Sequence, residues 1–220
     1  SIYADDPRRA ASEYRERINR MRQTPEVKSP PPFPVRLTLD LFDAGCIRFG
    51  NFTLASGKPS PIYIDLRLLV SHPALLRRVT EAYVKLLAPL EFDLIAAIPY
   101  AALPLGTAVA MEMGKPMIYP RKEAKTYGTA RYIEGEFRPG QRAVVLDDLI
   151  TTGESKLKVI EPLEQAGLEV KDIVVLIDRE QGGREFLEAR GYVLHSFLRL
   201  REILEVLAEE GRIGPEERDR

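Results

Sequence analysis

The chain of 220 residues has a single cysteine, Cys46, and two histidines, His72 and His195. One thiol excludes an intrachain disulfide and a metal–thiolate cluster, and it points to a reducing compartment, the cytoplasm. Two histidines are too few for a histidine-rich metal centre. No apolar run reaches the length of a membrane span and no signal-peptide pattern opens the sequence, so no membrane partner is expected. The formal net charge is −1. There is therefore no global field to recruit nucleic acid, and any anion must be held by a local cluster. The first residue is serine rather than methionine, which fits a processed or excised piece. What is present is 45% apolar and 30% charged residues, enough for the core of one ordinary domain with an appendage.

The appendage comes first. "DDPRRAASEYRERINRMR" predicts a helix, with Asp6 as cap, Pro7 at the first helical position, and Tyr14, Ile18 and Met21 on one stripe. "TPEVKSPPPFP" then carries five prolines in eleven residues, a semi-rigid linker. The expected division is a helical segment over 1–23, a linker over 24–35, a main domain over 36–212 and a disordered tail over 213–220. In the main domain, short apolar strands ("DLIAAIP", "PMIYP", "RAVVLD", "DIVVLID", residues 191–196) alternate with helices over 37–44, after Pro73, and over 103–113, 154–166 and 199–210. That alternation predicts an α/β fold with a parallel sheet covered on both faces. "NFTLASGKPSPIYIDLR" reads as two strands around a Ser-Gly turn, and no pattern shows from Arg121 to Pro139.

One strand ends in an unusual way. "VVLDDLITTGES" runs from buried apolar residues into adjacent Asp147 and Asp148, then into small polar residues that open a helix. Ligands of open parallel sheets bind beyond the carboxyl ends of the strands. The backbone N–H groups of Thr151 to Ser155, their hydroxyls and the helix dipole make a phosphate cradle. Two acceptor-only carboxylates beside it suit the vicinal hydroxyls of a ribose. The reading is a ribose 5-phosphate held at both ends; the bland alternative is a capped turn with solvated acids.

The string resembles the phosphoribosyl pyrophosphate signature of type I phosphoribosyltransferases. "FGNFTLASGKPSPIYIDLR", "IPYAALPLG", "RKEAKTYGT" and "LIDREQGG" accompany it in family order. Over about residues 36–210 the chain is similar to orotate phosphoribosyltransferases, above all the branch fused in UMP synthase. The resemblance implies a five-stranded parallel core with a small hood and a flexible loop. It implies a reaction of orotate with phosphoribosyl pyrophosphate to give orotidine 5'-monophosphate and pyrophosphate, with Mg2+ held mainly through the substrate rather than by protein ligands, in a homodimer whose loops close over the neighbouring subunit's site. For phosphoribosyl pyrophosphate it implies Arg121, Lys122, Lys125 and Tyr127 of the loop, Tyr100 and Ala101, and the run Asp147, Asp148, Leu149, Ile150, Thr151, Thr152, Gly153, Glu154 and Ser155. For orotate it implies Thr151, Arg179 and Tyr63, and for catalysis Lys122, Lys125 and Asp148.

Read as residues alone, the loop offers cations that arrive with the substrate, or equally a solvated basic loop. Arg179 can pair bidentately with a carboxylate such as orotate's, or with Asp178 or Glu180 beside it. Tyr63 can stack on the base or belong to the core. Ala55, Ala101 and Tyr127 depart from the bacterial pattern of two lysines and a histidine, which leaves catalysis to positioning and charge stabilisation. A phosphoribosyltransferase for another base, or a non-catalytic sensor of phosphoribosyl pyrophosphate, are the rival readings. His72 is expected at a helix start, His195 in a structural bond and Cys46 in the core. The first 23 residues resemble the C-terminal end of orotidine 5'-monophosphate decarboxylase, so the chain is expected to be the back part of a fusion.

Overall fold

The computed structural model describes residues 30–53, 57, 59–121 and 132–218. The chain divides into two units at Pro31/Pro32, and all the described elements belong to the second. The first of them is helix α1 (Phe33–Asp43). It begins inside the stretch read as linker, because Pro32 flanks it and Pro34 sits in its first turn, where a missing N–H costs nothing. It ends at Gly45, where Gly45 N–H donates to the Phe42 carbonyl and Cys46 N–H to the Leu41 carbonyl, both at 2.9 Å.

Strands β1 (Ile47–Thr53) and β2 (Pro59–Ile64) form an antiparallel hairpin, with Ile47 opposite Ile64 and Thr53 opposite Pro59. A 3₁₀ turn (Leu66–Ser71) leads into α2 (Pro73–Leu87), whose Leu75, Val79, Ala82, Tyr83 and Leu87 are buried along one stripe. The chain continues through β3 (Leu94–Ala97), α3 (Ala102–Met113), β4 (Met117–Pro120), β5 (Ile133–Glu134), β6 (Arg142–Ile150), α4 (Glu154–Gln165), β7 (Glu169–Asp178), α5 (Gly183–Glu188), β8 (Val193–Arg199), α6 (Leu200–Glu209) and α7 (Pro215–Arg218). The main sheet has six strands in the order β5-β4-β3-β6-β7-β8. Five are parallel, and β5 pairs antiparallel with β4. The short β5, α5 and the 3₁₀ turn had no sequence expectation, and α7 lies in the stretch read as a disordered tail.

Both faces of the sheet are covered. Ile95, Val144, Leu146, Val174 and Leu176 pack with α1, α2, α3 and α6 on one side. Leu94, Ala96, Ala143, Val145, Ile173 and Val175 pack with α4 and α5 on the other. Successive strand residues thus face opposite layers, and β6 and β7 read as unbroken apolar runs. From β3 the chain moves outward to β4; from β6 it moves the other way to β7. The crevice between β3 and β6 is therefore a topological switch point, where such sheets open a ligand site.

Candidate active site

The chemistry-bearing residues gather at the carboxyl ends of β3, β4, β6 and β7. Beyond β3 come Tyr100 and Ala101, reached through a cis Pro99–Tyr100 peptide. Tyr100 is 66% exposed. It lines a cleft of about 360 Å³ with Pro99, Leu103, Tyr119, Pro120, Arg121 and Glu134. Two of the expected pyrophosphate residues, Tyr100 and Arg121, thus share one cleft. Arg121 Nη1 donates to Glu134 Oε1 at 2.8 Å, a pair about one third exposed on each side. Lys122, Lys125 and Tyr127 of the expected lid, and Ala55, lie outside the described residues. A larger groove of about 930 Å³ beside β5 contains none of the candidate ligand residues.

β6 brings Asp147 and Asp148 to the switch point and leads through Thr151, Thr152 and Gly153 into α4. Gly153 has φ +86°, and a Cβ there would stand 3.0 Å from the Phe186 ring and 3.2 Å from the Gly183 carbonyl. A Cβ on Gly183 would stand 2.4 Å from the Thr151 carbonyl. The two glycines of "REQGG" and "TTGES" therefore let the loops after β6 and β7 lie against each other. Thr151 is half-buried, while Thr152, Glu154 and Ser155 are exposed. The first turn of α4 has no side-chain cap, which leaves its leading N–H groups without a side-chain acceptor at the cap.

The two aspartates, both expected as ribose acceptors, differ in their surroundings. The Asp147 side chain is 8% exposed and that of Lys156 is 6% exposed, and the two form a buried ion pair. The other Asp147 oxygen accepts the Asp148 N–H at 2.9 Å. Both oxygens are thus engaged from within the protein. Asp148 is half-buried and accepts the Leu149 N–H at 2.8 Å. Burial, and then the Asp147 charge beside it, raise its carboxyl from 3.8 to about 7, against the pull of Lys156. Below the pair, Tyr83 donates its hydroxyl to the Asp147 carbonyl at 2.7 Å. Burial holds that phenol well above its usual range.

β7 pairs with β6 so that Asp178 lies opposite Ile150. The next residue, Arg179, donates its N–H to the Ile150 carbonyl at 3.0 Å. Register thus places Arg179 beside Thr151. The ion-pair alternatives for Arg179 are taken by other residues. Asp178 accepts from Arg184 Nη2 at 3.2 Å, and Glu180 pairs with Arg201 at 3.7 Å. Arg179 is 7% exposed, and its Nε is buried with no hydrogen-bond partner. Among the described residues, its guanidinium has a long bond from Nη2 to Ser60 Oγ at 3.4 Å. Burial lowers its proton affinity.

Ser60 comes from β2, whose Ser60, Ile62 and Ile64 face inward. Tyr63 is on the opposite face of that strand. Its ring stacks on Phe52 with centroids 5.4 Å apart, and its hydroxyl accepts from Arg67 at 3.0 Å. The structure therefore does not bring the Tyr63 side chain together with Arg179, and Ser60 takes that place. Ser60 and Lys156 were both missed in the sequence. Each had a signal: Ser60 alternates with Ile62 and Ile64, and Lys156 shares a helical stripe with Ile160 and Leu163. Outside the site, Cys46 is buried and free, and burial raises its thiol to about 11. His195 bonds Asp172 at 2.8 Å.

A glycine-led helix start, two aspartates and a buried arginine thus stand around the switch point of a parallel sheet, in an α/β domain of the doubly covered kind. The family described as phosphoribosyl transferase domain matches residues 68–188. The chain is 42% identical over 168 residues to the orotate phosphoribosyltransferase of Pyrobaculum aerophilum, covering 76% of this chain and 87% of that protein. It is 47% identical over 181 residues to the bifunctional enzyme PyrF/PyrE of a Nostoc species, covering 82% of this chain but only 38% of that protein. Among solved structures, UMP synthase of Leishmania donovani matches with a TM-score of 0.79 and 45% identity, over 99% of this chain and 46% of that one. The chain belongs to the orotate phosphoribosyltransferase family.

Proposed function

We propose that this chain transfers the phosphoribosyl group of phosphoribosyl pyrophosphate to orotate, yielding orotidine 5'-monophosphate and pyrophosphate, a step of pyrimidine nucleotide synthesis. The observation that carries the reading is Arg179, buried and without a carboxylate partner among the described residues. Burying a charge without a partner is costly. Orotate supplies the missing carboxylate beside Thr151, and Ser60 steadies the guanidinium.

Each remaining group has a place in that reaction. Thr151 to Ser155 and the first turn of α4 hold the 5-phosphate. Asp148 accepts from a ribose hydroxyl, which favours its ionised form. As the bond from ribose C1 to pyrophosphate lengthens, negative charge grows on the leaving group. Arg121 exchanges Glu134 for it, since an exposed ion pair of this kind is worth only about 0.2–1 kcal/mol. Lys122 and Lys125 of the loop join it, with Tyr127 beside them. Tyr100 and Ala101 form the floor under the pyrophosphate. Catalysis then rests on positioning and fixed charge.

We propose Mg2+ as the required ion, held by substrate oxygens. Among the described residues no three His, Cys, Asp or Glu side chains lie together as a metal site, and the Asp147 carboxylate is already engaged. When bound, the ion supplies charge neutralisation to the pyrophosphate. The further expectations are a homodimer with shared loops and a cytoplasmic location. Among the described residues no helix is long and apolar enough to cross a membrane. The chain spans 38% of its bifunctional Nostoc relative. We propose that residues 1–23 end a preceding decarboxylase domain, joined through the proline-rich stretch. The match to UMP synthase covers 99% of this chain and so reaches into residues 1–23. The test is the loss of orotate absorbance with phosphoribosyl pyrophosphate, with and without Mg2+. Consumption that needs both is expected; no consumption with both present overturns the reading.

A further inference from the structure

The reading above leaves one buried charge without a task. Lys156, in the first turn of α4, donates to the Asp147 carboxylate and, at 2.8 Å, to the Leu149 carbonyl. Its two acceptors flank Asp148 in the chain. Resting on the proposed reading of the site, we propose that Lys156 is a positioning residue for the ribose end. It ties the end of β6 to α4 on either side of Asp148 and answers the Asp147 charge, so that Asp148 meets the ribose hydroxyls.

The surroundings support this division of labour. Among the described residues, the charged groups that act on the Asp148 carboxyl are Asp147 beside it and Lys156 from α4, and both aspartates act on Tyr83 from α2. Tyr83 is occupied with the Asp147 backbone carbonyl and supplies no positive charge. Lys156 is the cation that opposes the repulsion between adjacent aspartates. Without it, the Asp148 carboxyl titrates at higher pH. A protonated Asp148 is a poorer acceptor for a ribose hydroxyl. Lys156 also sits in the first turn of α4, directly after Ser155, so the same side chain fixes the distance between the 5-phosphate seat and the ribose hydroxyl seat. A compact ammonium on a long stem suits a site this enclosed.

The experiment uses Lys156→Met and Lys156→Arg in the full chain. Carboxyl 13C shifts of the ligand-free proteins are followed against pH and assigned with Asp148→Asn. The pH profile of kcat/KM for phosphoribosyl pyrophosphate is measured alongside thermal unfolding. In Lys156→Met, the carboxyl titration and the acid limb of the profile are expected to move up together by about one pH unit or more, a tenfold loss on the acid side. KM for phosphoribosyl pyrophosphate should rise more than kcat falls, and Lys156→Arg should restore the limb. If Lys156→Met does not fold, Lys156→Met with Asp147→Asn removes both partners of the buried pair. That variant should fold, with Asp148 titrating below its wild-type midpoint and KM for phosphoribosyl pyrophosphate still raised. A folded Lys156→Met with an unmoved titration, or with activity lost evenly at every pH, overturns the proposal. So does a double variant with wild-type KM. If the wild type consumes no orotate, the functional reading fails instead, and the carboxyl titration still decides the role of Lys156.

Discussion

The ends of β6 and β7 stand side by side in the sheet and treat buried charge in opposite ways. Near its end β6 carries Asp147, whose charge is answered inside the protein by Lys156. β7 ends on Arg179, as deeply buried, with a long bond to Ser60 and no counter-charge among the described residues. On the proposed function, the first arrangement is scaffold, holding the loop that seats the phosphate, and the second is a socket whose buried charge the ligand completes. The two adjacent strand ends then divide the work, one paired within the free protein and one completed on binding.

The largest expected effect comes from breaking the scaffold. Asp147→Ala leaves Lys156 buried without its partner and should lower stability by about 3–5 kcal/mol in chemical denaturation. The socket should respond in the opposite sense. Arg179→Met removes an unanswered charge and should raise the stability of the free protein by about 1 kcal/mol or more. It should also raise KM for orotate about 10- to 100-fold, the value of charge-assisted hydrogen bonds, with KM for phosphoribosyl pyrophosphate little changed. Equal loss of both substrates would erase the distinction between the two ends.

Asp148 lies between these cases. Its carboxyl titrates near 7 when folded against an ordinary value of 3.8. The folded state binds more protons than the unfolded chain between those values, so Asp148 costs nothing at lower pH and costs stability progressively as pH rises towards 7. Asp148→Asn should therefore stabilise the free protein at pH 8 by on the order of 2 kcal/mol, with no gain at pH 3.5. Its turnover should fall at every pH. A gain independent of pH would contradict the assignment. The smallest effect belongs to Tyr63→Phe, which loses only an exposed bond from Arg67. Stability should change by less than about 1 kcal/mol, and KM for orotate should stay as it was.

The parallel strands were legible because buried strands read as short apolar runs with helices between them. The pair Asp147 and Asp148 and the isolated Arg179 were legible as residue types at strand ends. Their inequality was not, because it depends on Lys156, seven residues beyond Leu149 and brought back by one turn of α4. The face of Tyr63, opposite that of Ser60, was readable from strand alternation. β5 is two residues long and α5 only six, too short for any periodicity to show. The start of α1 was hidden by prolines that suit a linker and a first helical turn equally.

The central claim is that the arginine at the end of β7 awaits the carboxylate of the base. The most direct measurement is the ratio of kcat/KM for orotate to that for uracil, which lacks the carboxylate, in the wild type and in Arg179→Met. The account predicts a strong preference for orotate in the wild type, shrinking by about 10- to 100-fold in the variant. A preference that survives the substitution intact, or a wild type that takes uracil as readily as orotate, would contradict it.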